Sequence, residues 1–225
     1  MKLRRAKSVP ARSKRAHRSL VLPDRLAPGL EIVSIGINPS AYSALHGFNF
    51  ARPGNRFWPT FNAAGLVPET IEPGKASVLR LLREYRIGFT DIVKRATGRA
   101  DELTDEDYRH GARALKRKLL RCQPAIAWFQ GTSAFQKYLQ FAEGTKRAVR
   151  PGLQPEHIGA SLVFVTPNPS GANPAANPRL LLPWYRELKE LRDGLRPLTM
   201  FVLFGIYYMN EPNRLDYLFH LSRYF

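Results

Sequence analysis

Short, continuous apolar runs alternate along this chain with longer segments whose apolar residues recur at helical spacing. A run bounded by turn residues reads as a strand buried on both faces, and a 3.6-residue recurrence as an amphipathic helix. The first strand is predicted over residues 31–35, followed by a Gly/Pro/Asn-bearing loop to about residue 53. That loop is longer than most connections in a compact domain, which marks it as a functional-loop candidate. Asn55 is placed to cap a short helix carrying Phe57, Trp58, Phe61 and Ala64 and closed by Gly65. Residues 77–83 read as another helix with Val78, Leu81 and Leu82 on one face, and residues 87–93 as a short strand and turn. Thr104 opens a helix bearing Tyr108, Ala112, Leu115, Leu119 and Leu120. Residues 125–129 form a buried strand ended by Gly131, and Thr132 caps a helix to about Phe141. A basic hairpin or loop over 146–159 leads into a strand over 162–166, and 179–191 is an amphipathic helix ending at Gly194.

Strands alternating with helices imply right-handed crossovers and an α/β fold: a three-layer α/β/α sandwich around a short, mostly parallel central sheet. At 225 residues the chain suits one domain with tails. Residues 1–27 read as a basic arm, 28–195 as the domain and 196–225 as an apolar, aromatic extension. The apolar stretch 198–209 is broken by Glu211, Arg214 and Asp216 and falls short of the ~20 residues a membrane span requires. It reads either as an added strand or helix on the domain or as a poorly folded extension.

Charge narrows the partner. Thirty-five Lys+Arg against 18 Asp+Glu give +17. Nine of the basic residues and Asp24 fall in residues 1–25, a net +8 that leaves +9 on the rest. A basic domain favours a polyanion, and nucleic acid is the first candidate because neutralised phosphates release counterions. The start lacks the apolar segment of a secretory signal, so an intracellular protein is expected. The single cysteine, Cys122, excludes an internal disulfide framework and a cysteine-rich metal site, and its apolar surroundings predict a buried thiol. The five histidines show no metal-ligand spacing, so no metal is expected.

Two strand ends carry the chemistry. The first runs into Gly36-Ile37-Asn38-Pro39 and the second, far along the chain, into Asn168-Pro169-Ser170-Gly171. Ligands in open α/β sheets bind beyond the carboxyl ends of the strands, so two such turns suggest two loops facing one site. Together with the stretch from Gly47 through Asn55-Arg56-Phe57-Trp58, and with Gly88-Phe89-Thr90-Asp91-Ile92-Val93 between them, these motifs resemble the mismatch-specific uracil/thymine-DNA glycosylase family. The resemblance covers about residues 30–194.

That resemblance implies a monofunctional base-excision repair hydrolase, without a cofactor, that flips a uracil out of a G·U pair (thymine or another damaged pyrimidine being the further candidates) and cleaves its bond to the sugar, leaving an abasic site. Its partner is double-stranded DNA carrying uracil or a mismatched pyrimidine, and the enzyme is a monomer by default. Asn38 is implied to hold the attacking water; an amide takes no proton at neutral pH, so the rate must come from positioning and electrostatics. Asp91 is the remaining candidate for a water-activating carboxylate, a solvent-exposed turn aspartate being the alternative. Phe50 is implied to stack on the flipped base, with Phe48 expected in the core. Ile37 is to offer its backbone N–H, Ser43 a small polar contact to the base, and Asn168 and Ser170 contacts to the base-side backbone or a phosphate. Gly171, Ala172 and Asn173 stand where a wedge enters the duplex, and Lys94 and Arg95 are placed to track phosphates. The chain departs from the family in having Ser40 where Gly is usual, Ala172 where a larger apolar residue or Arg is common, and no histidine in the second motif. A weakly catalytic lesion binder and a nucleoside or nucleotide hydrolase on the same fold stand as alternatives.

Overall fold

A computed structural model describes residues 21–171 and 177–209, with the side chains of the last helix described to residue 195. Its centre is a five-stranded sheet of order β2-β1-β3-β5-β4, made of β1 (Ile32–Gly36), β2 (Ile87–Asp91), β3 (Ile126–Gln130), β4 (Gly152–Ile158) and β5 (Ser161–Thr166). The first four in spatial order pair in parallel, and β4 adds an antiparallel edge to β5. The chain between residues 146 and 159, expected as a basic hairpin or loop, supplies that edge strand.

Parallel strands are covered on both faces, which is why β1, β2 and β3 are buried throughout. Val33, Ile35, Ala127, Phe129, Val163 and Val165 point to one core, under α4 (Asp105–Cys122) and α5 (Thr132–Tyr138). Ile32, Phe89, Trp128 and Phe164 point to the other, under α2 (Phe57–Ala63), α3 (Lys75–Glu84) and α6 (Pro178–Met209). This is the expected three-layer sandwich.

Several elements differ from the sequence pattern. The long loop after β1 contains a helix, α1 (Ala41–His46), because the Ser40 side chain accepts from the Ser43 N–H and caps it. Leu120 is 41% exposed, since α4 turns Tyr108, Ala112, Leu115, Leu119 and Cys122 inward instead. Asn55 does accept from the Phe57 N–H, at 2.9 Å. Gly194 does not end the last helix. The apolar recurrence continues through Leu188, Leu191 and Leu195 against the core, and α6 runs on to Met209. Residues 198–209 of the apolar stretch are thus helical, as the continuation of α6; residues 210–225 lie outside the described residues, as do residues 1–20 of the arm.

The folded region also begins before residue 28. Val21 and Arg25 form bridges to Arg95 and Phe89, and Leu22 is buried. This strap lies so close to β2 that a Cβ on Gly88 would overlap the Arg25 carbonyl and the Leu30 side chain.

Candidate active site

Parallel strands bring four carboxyl ends to one edge, and register places Gly36 beside Asp91 and Gln130 beside Thr166. A cleft of about 610 Å³ opens there, lined by the turn Gly36 to Ser40, Ser43, Asn49, Phe50, Asp91, Gln130, Asn168 and Ser170 among others. Ile37, Asn38, Ser43, Phe50, Asp91, Asn168 and Ser170 therefore meet in one place, although they span most of the domain.

The first turn is held by continued pairing beyond the strands. Ile92 and Val93 N–H donate to the Gly36 and Ile37 carbonyls (both 2.9 Å), and Thr97 and Pro39, then Ala41 and Thr97, are joined by further backbone bonds. On this frame Asn38 is fixed at one end. Its Nδ2 donates to the Arg95 carbonyl (3.0 Å) and to Thr97 Oγ1 (2.7 Å). A main-chain carbonyl can only accept, and the Thr97 hydroxyl spends its proton on the Arg99 carbonyl (2.7 Å). The nitrogen of the amide must therefore face this loop, and the oxygen is the end left to accept a hydrogen bond.

Asp91 is not a solvent-exposed turn residue. It is 5% exposed, and its Oδ1 lies so near Gly36 that a Cβ at that position would overlap it. Only glycine permits this approach, which gives the Gly of the Gly-Ile-Asn-Pro motif a structural cause. Asp91 Oδ2 is buried without a hydrogen-bond partner, and Lys94 Nζ stands 4.0 Å away. Burial pushes the carboxyl up to about 6, against the pull of Lys94.

Phe50 adopts φ +58, a left-handed conformation rare for a bulky residue and found where surrounding structure imposes it. One face of its ring stacks on Phe57 at 4.0 Å and 12°. Phe48, expected in the core, is only partly buried and packs against the same cluster as Phe50. Ser43 is buried and ties two loops together, its Oγ accepting from the Ser40 hydroxyl (3.0 Å) and from the Ala51 N–H (3.2 Å). Ser40, a departure from the family pattern, is thus the cap of α1 and the partner of Ser43.

In the second turn Asn168 Oδ1 accepts from the Ser170 N–H (2.9 Å), and the Pro169 carbonyl accepts from the Arg56 N–H (3.0 Å). A Cβ on Gly171 would press on the Gly54 carbonyl, so both turns rest on the segment between α1 and α2. Ala172 and Asn173, at the wedge position, lie outside the described residues.

Lys94 and Arg95 are engaged inside the protein rather than offered to phosphates. Lys94 pairs with Asp24 (2.8 Å), and Arg95 makes a two-pronged pair with Asp107 (3.1 and 2.6 Å). That pair and the Thr104 hydrogen bonds hold the Asp107 carboxyl far below its ordinary range. Arg52 and Arg99 are the basic residues that line the cleft.

Three participants had no motif to announce them. Thr97 orients Asn38 from the far loop. Gln130, buried below the cleft, donates to Ser34 Oγ (3.0 Å) and accepts from the Tyr185 hydroxyl (3.3 Å). A polar residue ending an apolar strand was the available signal. Asn49 is 6% exposed, lines the cleft, and makes no side-chain hydrogen bond among the described residues. Its place next to Phe50 was the only hint.

A polar cleft beyond the parallel strand ends of an α/β sandwich, with a fixed amide, a buried carboxyl and an aromatic ring, is the place where open α/β sheets bind ligands. The model of the uracil DNA glycosylase superfamily matches residues 23–189, and the chain belongs to that superfamily of DNA glycosylases. Its fold is also similar to the solution NMR structure of a Methanosarcina acetivorans protein described as a candidate uracil DNA glycosylase. The two are 21% identical, the match covers 76% of this chain and 97% of that one, and the TM-score is 0.49. Among the described residues no helix is long and apolar enough to cross a membrane.

Proposed function

We propose that this glycosylase excises uracil from double-stranded DNA, G·U mismatches first, by hydrolysis to an abasic site. The carrying observation is the polarity of Asn38, whose nitrogen is spent on Arg95 and Thr97 while its oxygen remains to accept from a water. The flipped uracil stacks on the cleft face of Phe50, whose other face is braced by Phe57. Flipping costs a few kcal/mol and least for a mispaired base, which favours G·U over A·U. Water oxygen bonds to the sugar C1′ as the C1′–N1 bond breaks. The electron pair leaves with the base as a uracil anion, and the water proton passes to the Asp91 carboxylate. With its pKa raised to about 6, Asp91 is mostly ionised at neutral pH yet basic enough to take that proton. No lysine lines the cleft among the described residues, which fits hydrolysis rather than Schiff-base chemistry on the sugar.

Excision on end-labelled duplexes bearing G·U, A·U, G·T and undamaged pairs, with Asn38→Ala alongside, tests this reading. Abasic product from G·U that nearly vanishes in Asn38→Ala is the expected result. Tight G·U binding without product would leave a lesion-binding protein instead.

A further inference from the structure

Asp24 belongs to the strap before β1, in a stretch the charge pattern assigns to the basic arm. Its position is set by the Arg25–Phe89 backbone pair (2.8 and 3.0 Å) and by buried Leu22. Its Oδ1 accepts from Thr90 Oγ1 (2.6 Å) and Lys94 Nζ (2.8 Å), and its Oδ2 from Lys118 Nζ of α4 (2.7 Å). Burial works to raise the Asp24 carboxyl, but the hydrogen bonds from Lys118, Lys94 and Thr90 outweigh it and hold the group below its ordinary value. Asp24 is therefore an anion that gathers both nearby ammonium groups. Asp91 stands next to the same cluster with its Oδ2 unpartnered and Lys94 at 4.0 Å.

We propose that Asp24 is a positioning residue for the glycosylase reaction: it draws the hydrogen bonds of Lys94 and Lys118 to itself, so that Asp91 meets the cleft with no cation among the described residues closer than Lys94 at 4.0 Å. The charged groups facing Asp91 come from three elements, namely Lys94 of its own loop, Asp24 of the strap and Lys118 of α4. Two cations and two carboxylates share this corner, and the hydrogen bonds of both cations go to Asp24 while Lys94 stays 4.0 Å from Asp91. An Asp91 locked in an ion pair would be a weak base with an obstructed oxygen, because a close cation stabilises the charged form. The inference rests on Asp91 taking a proton as proposed above.

The test is the pH dependence of single-turnover G·U excision, together with a direct carboxyl titration of Asp91 by 13C NMR. In the unsubstituted protein the rate rises with pH through a midpoint near 6, and Asp91→Asn removes that rise. Asp24→Asn moves both midpoints to lower pH by about one unit and lowers the plateau severalfold, while Asp24→Glu restores them. Lys94→Met, which leaves the strap in place, removes the cation that pulls most on Asp91 and moves the midpoint up, but by less than about one unit because Asp24 holds that lysine 4.0 Å from Asp91.

Unchanged midpoints in folded Asp24→Asn would overturn the proposal, as would a rise of more than about one pH unit in Lys94→Met. Should Asp24→Asn not fold, the Lys94→Met titration decides alone. If the unsubstituted protein excises nothing, the functional reading fails, and the NMR midpoints still decide whether Asp24 governs Asp91.

Discussion

The two Asn-Pro turns look alike in sequence and are wired with opposite polarity. Asn38 spends its amide nitrogen on the neighbouring loop, through the Arg95 carbonyl and Thr97 Oγ1, and keeps its oxygen for the cleft. Asn168 spends its oxygen on its own turn, through the Ser170 N–H. A residue that holds a nucleophilic water needs a fixed acceptor, and the Asn38 oxygen supplies one in the first turn. The supports differ in the same sense. The first turn is zipped to the loop after β2 by backbone bonds on both sides, whereas the second is anchored by the Arg56 N–H and by the approach of Gly171 to Gly54. The difference teaches that the same Asn-Pro punctuation can serve two wirings, and under the proposed function the first suits the water and the second the wall of the base pocket.

The strongest way to break this comparison is to truncate both asparagines. Asn38→Ala is expected to slow single-turnover G·U excision by about a hundredfold or more, the scale of losing one preorganised polar contact at the reacting centre. Binding of uncleaved duplex should change little, because the lost acceptor serves the water and not the base. The next effect is on stability and comes from Asp91. Its folded pKa of about 6 exceeds its ordinary 3.8, so the folded protein binds the proton more tightly than the unfolded chain. Its contribution is fully present below about 4, is lost as pH rises to about 6, and stays lost above. Asp91→Asn should therefore raise stability at pH 7 by up to about 3 kcal/mol while slowing excision, and the gain should disappear near pH 4. Urea unfolding at the two pH values measures it. A variant less stable at pH 7 than the parent would mean that Asp91 is a structural anion.

The layered fold was legible because buried parallel strands and amphipathic helices each leave a short-range period in the sequence. The site was legible at its two turns, where Gly, Asn and Pro punctuate the ends of apolar runs, and at Phe50 through the family resemblance. What escaped were residues whose role depends on contacts far along the chain. Thr97 acquires its role only when the loop after β2 pairs with Pro39 and Ala41. Asp24 sits among basic residues and reads as part of an arm until Thr90, Lys94 and Lys118 surround it. Lys94 and Arg95 misled for the same reason, since a pair of adjacent cations looks available until Asp24 and Asp107 are found beside them. Gly194 misled locally: glycine is a common helix stop, but Leu191 and Leu195 keep the apolar stripe on the core.

Two smaller effects sharpen the contrast between chemistry and wall. Phe50→Leu removes the stacking face while keeping bulk over Phe57, and base–aromatic stacking is worth ~1–3 kcal/mol. Affinity for G·U duplex, read by titration at fixed salt, should fall more than the excision rate of saturated complex. Asn168→Ala is expected to have the smallest effect, about tenfold or less on G·U excision, because its bond from the Ser170 N–H lies within the turn and such a bond is worth ~1 kcal/mol. The Arg56–Pro169 contact still anchors the loop, so the variant should retain its fold and the pH midpoint set by Asp91. Its loss should appear in substrate affinity if, as proposed, the second turn forms the wall and not the water site. If Asn168→Ala instead matched Asn38→Ala in rate loss with affinity unchanged, the two turns would share the chemistry, and the opposite wiring of their amides would need another explanation.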